Sequence, residues 1–152
     1  MPITYHIRED RELIVLCHIG TVTDRQMLES LHGLTQDPRF NPNYSKIFDL
    51  RQTDSEARTN EGIMQGAELL KKAHRQSTGA QIAVIAPKDL SYGLSRIFEG
   101  MLYDGNFEIK IFRSADAACD WLKLCEDDLA IPETGQRCRI KKNRRPFTGH
   151  RP

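Results

Sequence analysis

No stretch of this chain approaches the roughly 20 apolar residues that a membrane-crossing helix needs, so no segment of it reads as a span. Met1-Pro2-Ile3-Thr4-Tyr5-His6 also lacks the basic-then-apolar order of a secretory signal, and a cytoplasmic location is the expectation. The four cysteines, Cys17, Cys119, Cys125 and Cys138, form no C-x-x-C pair and no repeated spacing. That removes a zinc site or a disulfide framework as an organising principle and leaves reduced thiols as the expectation. Cys119 and Cys125 are expected on one helix, where their separation turns them about 240° apart, too far round to converge on one metal. No G-x-S-x-G motif occurs, and His6, His18, His32, His74 and His150 have no acid or nucleophile beside them in a catalytic pattern. Gly93 lacks the second and third glycines of a nucleotide loop. A non-enzymatic protein without cofactor or metal is therefore expected.

What is present is ordinary globular material, 39% hydrophobic and 28% charged over 152 residues, enough for one buried core. The net charge of +1 hides an asymmetry. From Gln136 onward the chain carries seven basic residues and no acid, which leaves −6 for residues 1–135. The expected organisation is a domain over residues 1–126 followed by a basic tail over residues 127–152. For that tail two readings stay open, a solvated disordered extension or a segment docked on the acidic body.

Ile3, Tyr5 and Ile7 alternate with polar residues, and Leu13 to Ile19 forms a second apolar run after a polar turn, which predicts an antiparallel hairpin. Cys17 is expected to point inward there and His18 outward. Thr23 and Gln26 match a capping box, with Val22 and Met27 as its hydrophobic staple, so a helix begins there. Lys46 to Leu50 reads as a third strand with Asp49 near its exit. Thr59 caps a second helix, whose face is Ile63, Ala67 and Leu70. Ile82 to Ala86 has the continuous apolar character of a strand buried on both faces. The helix after it carries Leu94, Ile97, Phe98, Met101 and Leu102 at helical spacing. Glu108 to Phe112 is a fifth strand, and Ser114 caps a last helix on which Ala118, Trp121, Leu122 and Cys125 share a side, with Trp121 as a core plug. The order is ββαβαβαβα: an α/β single layered domain with a mixed, mostly parallel five-stranded sheet.

Ile47-Phe48-Asp49-Leu50-Arg51, Ala83-Val84-Ile85-Ala86, Tyr92-Gly93-Leu94-Ser95-Arg96-Ile97-Phe98 and the run from Ile111 to Leu122 resemble the small bacterial SpoIIAA-like (STAS/CRAL-TRIO-like) domains, over about residues 3–124. The resemblance implies one domain without catalytic activity, grouped by fold with anti-sigma-factor antagonists and lipid-carrier domains. In the antagonists a phosphorylatable Ser follows an Asp at the start of the helix after the third strand. Asp54-Ser55 is similar in position, although Glu56-Ala57-Arg58 replaces their continuation.

Open α/β sheets bind ligands at strand exits, where helix N-termini offer N–H groups to anions. Asp49, Arg51, Arg58, Tyr92 and Arg96 are therefore the candidate ligand-binding residues, and Ser55 the candidate phosphorylation site. The plainer reading has Asp49 and Arg51 pairing with each other, and Thr59 with Asp89 or Ser91 acting only as caps. The function expected is a regulatory or small-ligand (anionic or lipid-like) binding domain, self-associating as a homo-oligomer and with a protein partner within its reach. One alternative is a phospho-regulated interaction module. The other is nucleic-acid binding through Arg137, Arg139, Lys141, Lys142, Arg144 and Arg145. For that tail reading, removing the basic segment should abolish an affinity for DNA and anionic vesicles that falls steeply with salt, because counterion release drives it. Equal binding with and without the segment, measured over a salt series, would exclude it.

Overall fold

The structure is a computed structural model that describes residues 2–130. Strands β1 (Ile3–Arg8) and β2 (Leu13–Gly20) form the N-terminal hairpin. Helix α1 (Asp24–Gln36), strand β3 (Ser45–Thr53), helix α2 (Asn60–Ala73), strand β4 (Ala80–Ile85), helix α3 (Asp89–Met101), strand β5 (Phe107–Phe112) and helix α4 (Ala115–Leu122) follow, closed by a 3-10 turn at Glu126–Leu129. The sheet order is β1-β2-β3-β4-β5, antiparallel at the first pair and parallel at the other three. This is the mixed sheet that the element order predicts.

Local chemistry starts the helices where expected. Thr23 and Gln26 exchange both bonds of the capping box before α1, Thr59 Oγ1 accepts from Gly62 N at 3.0 Å before α2, and Ser114 Oγ accepts from Ala117 N at 3.2 Å before α4. The topology then distributes the helices. Three parallel crossovers step in one direction across the sheet, and a constant right hand places their helices on one face. The core divides accordingly. Ile14, Leu16, Phe48, Ile82 and Val84 meet α1, α2 and α3 on one side, whereas Leu13, Val15, Ile47, Ala83 and Ile85 meet α4 on the other.

The structure corrects several of these expectations. His18 is buried at 5% exposure instead of facing outward, because the outer face of β2 lies under helices too. On α3 the buried line is Ser91, Ser95, Phe98 and Leu102, rotated from the expected stripe, and Ile97 is exposed. Helix α4 stops at Leu122 because Lys123 turns left-handed (φ 61°), so Cys125 leaves that helix and is exposed. Trp121 is half-buried, its ring beside Phe112 (centroids 5.7 Å apart) and under Lys110, while Ala115, Ala118, Cys119 and Leu122 carry the helix into the core. Cys119 and Cys125 are free thiols, but Cys17 is disulfide-bonded, against the expectation of reduced thiols.

The folded body runs past the expected boundary at Glu126. Leu129 is fully buried among Leu13, Val15 and the α4 face. Asp128, also buried, accepts from Arg8 Nη1 at 3.3 Å, from Arg11 Nη1 and Nη2 at 2.9 and 3.1 Å, and from Cys125 N at 3.0 Å. This fastens the last turn to the N-terminal hairpin. Leu129→Ala should cost about 2–5 kcal/mol through the cavity it leaves. In denaturant titrations a chain ending at Glu126 should unfold earlier than one ending at Ala130, and equal midpoints would show the turn to be dispensable.

Candidate functional site

The expected cluster at the β3 exit is divided by the sheet. Asp49 and Arg51, two positions apart on one strand, face α4. Asp49 Oδ1 accepts from Arg51 N and Nε at 3.2 and 2.9 Å, and Oδ2 accepts from Nη2 at 2.7 Å. Burial pushes the nearby Cys119 thiol up to about 12, and the Arg51 charge opposes that shift, which places Arg51 on the α4 side. This closed fork is the plainer reading of the pair, a fastening of the strand exit.

Arg58 lies on the opposite face, in the loop before α2. Its Nε donates to Asp24 Oδ1 at 2.9 Å, and the same carboxylate receives Thr59 N at 3.1 Å and the Thr59 hydroxyl. Asp24 is the first residue of α1, where a negative charge suits the helix N-terminus, and it lies directly over Gly62 in the first turn of α2. A Cβ at Gly62 would fall 2.1 Å from Asp24 Cγ, so only glycine permits this contact. The Arg58 side chain is 8% exposed. Its Nη2 is buried with no hydrogen-bond partner among the described residues.

Arg58 lines a partly open cavity of about 50 Å³ bounded by the sheet and α1, α2 and α3. His18, Ser30, Ser55, Ser91 and Ser95 supply its other polar groups, and Leu16, Phe48, Leu50, Leu94 and Phe98 are among its apolar walls. Ser55 holds a left-handed backbone (φ 64°) that turns its hydroxyl inward, where it shares a 2.8 Å hydrogen bond with the Ser91 hydroxyl. The turn is braced by Asp54, which accepts from Thr21 Oγ1 at 3.0 Å and from Glu56 N at 3.0 Å. Lys88 Nζ ties the α3 entrance to Thr53 O at 3.0 Å.

Of the residues singled out from sequence, Arg58 and Ser55 reach this cavity. Tyr92 and Arg96 do not line it. Tyr92 lies under the Arg113 guanidinium, 4.1 Å from the ring centroid, and Arg96 is largely exposed and paired with Glu99 at 2.9 Å. Ser55 is not at a helix start, since α2 is capped by Thr59, and its hydroxyl is buried rather than presented to solvent. Neither Ser91 nor Asp89 caps α3, whose N-cap is Lys88; Ser91 turns to Ser55, and Asp89 to Arg113 Nη1 at 2.9 Å. The residues missed were His18, Ser30, Ser91 and Ser95. The spacing of Ser91, Ser95 and Phe98 is a helical signal, but small polar residues are easily read as the solvent side of such a helix. Arg137, Arg139, Lys141, Lys142, Arg144 and Arg145 lie outside the described residues.

No family model and no curated protein matches the chain. Among solved structures it is similar to an uncharacterized protein of the DUF3478 family with a SpoIIAA-like fold from Shewanella loihica PV-4, at a TM-score of 0.50 and 18% identity, over 81% of this chain and 92% of that one. The chain has a SpoIIAA-like fold. Likeness at that identity carries the fold alone. Among the described residues of this SpoIIAA-like domain, no helix is long and apolar enough to cross a membrane, and no group of three or more His, Cys, Asp or Glu is placed to hold a metal ion.

The buried bases of the SpoIIAA-like core make its stability depend on pH. Burial, and then the Arg58 charge, bring His18 down to about 3. Burial, and then Lys46, bring His74 down to about 4; His74 Nδ1 meets Leu70 O at 2.8 Å. At the opposite end of β3 from the cavity, Lys46 is fully buried with Nζ on the carbonyls of Pro42 and Tyr44 at 3.0 and 2.6 Å, and burial pushes its amine down to about 7. An unfolded histidine takes its proton near pH 6.5, so the unfolded state binds more protons than the folded one between that pH and the folded values. The histidine contribution is complete above 6.5 and is lost as pH falls toward about 4 and about 3. For Lys46 the same sign makes stability grow from about 7 to 10.5. Denaturation midpoints should therefore fall below pH 6.5, and fall less steeply in His18→Gln. An identical slope in the variant would place His18 in contact with water.

Proposed function

We propose that this domain is a non-enzymatic binding module that holds a small, partly apolar anion in the cavity between the sheet and α1–α3, with a regulatory role exerted through occupancy. The observation that carries the reading is Arg58, a cationic side chain that lines the cavity and whose Nη2 is buried without a hydrogen-bond partner among the described residues. A buried donor left unmade costs about 1–3 kcal/mol, and more when charged. An oxyanion beside the Arg58 guanidinium would offer an acceptor that offsets that cost. The hydroxyls of Ser55, Ser91 and Ser95 supply further donors, and the apolar walls receive a short hydrocarbon part. The chemistry that supports binding gives no matching support to turnover, since the hydroxyl nearest Ser55 is another serine, Ser91, and not a base. Self-association, the other part of this reading, would use the exposed Met64, Ile97 and Tyr103, and light scattering on the purified chain decides it.

Thermal denaturation in acetate, propionate, butyrate and phosphate tests the site. At 100 times the dissociation constant a ligand stabilises by about 2.7 kcal/mol, so the preferred anion should raise the midpoint by several degrees. Arg58→Lys, which keeps a charge for Asp24 but loses Nη2, should lose that shift. Equal shifts in the variant and the wild type would sink the site.

A further inference from the structure

Resting on the reading just given, the ligand class follows from the charges that surround the cavity. Arg58 is already neutralised by Asp24, its partner at 2.9 Å. A carboxylate placed against the Arg58 guanidinium would therefore leave one uncompensated negative charge among largely apolar walls, which is disfavoured. Among the described residues His18 is the only other titratable side chain lining the cavity. The strands and α3 present apolar side chains and serines there, and the charged groups facing His18 are Arg58, from the β3–α2 loop, and Asp24 behind it on α1. We propose that the cavity takes a small weak monocarboxylic acid together with one proton, the carboxylate against Arg58 and the proton on His18.

The step is a proton transfer alone. The O–H bond of the acid breaks, an N–H bond forms on the imidazole, and the resulting imidazolium and carboxylate leave the site, with Arg58 and Asp24, electrically neutral. A phosphate or sulfate dianion needs a second compensating charge, which no other lining residue among those described supplies. Size points the same way. With about 10–15 Å³ needed per water-sized group, a cavity of about 50 Å³ suits an acid of two or three carbons. In the protein alone, burial and the Arg58 charge hold His18 at about 3, so it is neutral at pH 7 and free to accept a proton once a carboxylate faces it.

Calorimetric titration of the full chain with propionate, in buffers of different ionisation enthalpy, measures the protons exchanged. The expected result is uptake of about one proton per propionate and an affinity that weakens about tenfold per pH unit between about pH 6 and 8. His18→Gln should remove both the proton uptake and the pH dependence. The His18 ring nitrogens of the wild type, followed by NMR at pH 7 on saturation with propionate, should shift to the imidazolium form, which tests the point even if the variant is unstable. Propionate binding with no proton uptake, or sulfate binding as tightly as propionate, would overturn this inference and leave the anion site standing. Failure of acetate, propionate, butyrate and phosphate alike to bind between about pH 5 and 8 would overturn both, because every state of His18 within reach would then have been sampled.

Discussion

Three right-handed crossovers taken in the same direction decide where every other feature of this domain can lie. They gather α1, α2 and α3 on one face of the sheet and leave the other to α4 and the closing turn. Two consequences follow from one chiral rule. Both faces of β2 and β4 are covered, so those strands are mostly apolar, with His18 and Gln81 as their polar members. Residues that are neighbours in sequence at the β3 exit are also dealt to opposite sides, which is why Arg51 closes on Asp49 beneath α4 while Arg58 enters a cavity beneath α1–α3.

The cavity rim then depends on one carboxylate. Asp24 begins α1, lies over the first turn of α2, and binds Arg58 and Thr59 together. With one guanidinium nitrogen held this way, the orientation of the remainder is set, and Nη2 is left without an acceptor among the described residues. The same ion pair leaves the site nearly neutral, and that neutrality, more than the presence of a cation, determines which anions are compatible with it.

At its C-terminal end the domain is closed by a different device. Asp128 gathers two arginines from the N-terminal hairpin and a backbone N–H from Cys125, and Leu129 fills the α4 side of the core. Because these contacts join residues more than a hundred positions apart, the last turn reports on the integrity of the whole sheet.

Sequence by itself determined the element order, the strand alternation and the helix starts at Thr23, Thr59 and Ser114, because each depends on hydrogen bonds within a few residues or on the apolar period of one element. It also brought Arg58 and Ser55 forward, since a charged residue and an Asp-Ser pair beside a strand exit are conspicuous in a linear reading. Which face each would meet was decided only in three dimensions. His18 became buried because helices cover the side of β2 that alternation alone assigned to solvent, and Ser91 and Ser95 became cavity residues because α3 is rotated by its contacts with the sheet. Tyr92 and Arg96, one residue further round α3, were turned away by the same rotation. A helix displays its polar and apolar positions in its sequence, but which line of them meets the sheet is settled by packing against every neighbour at once.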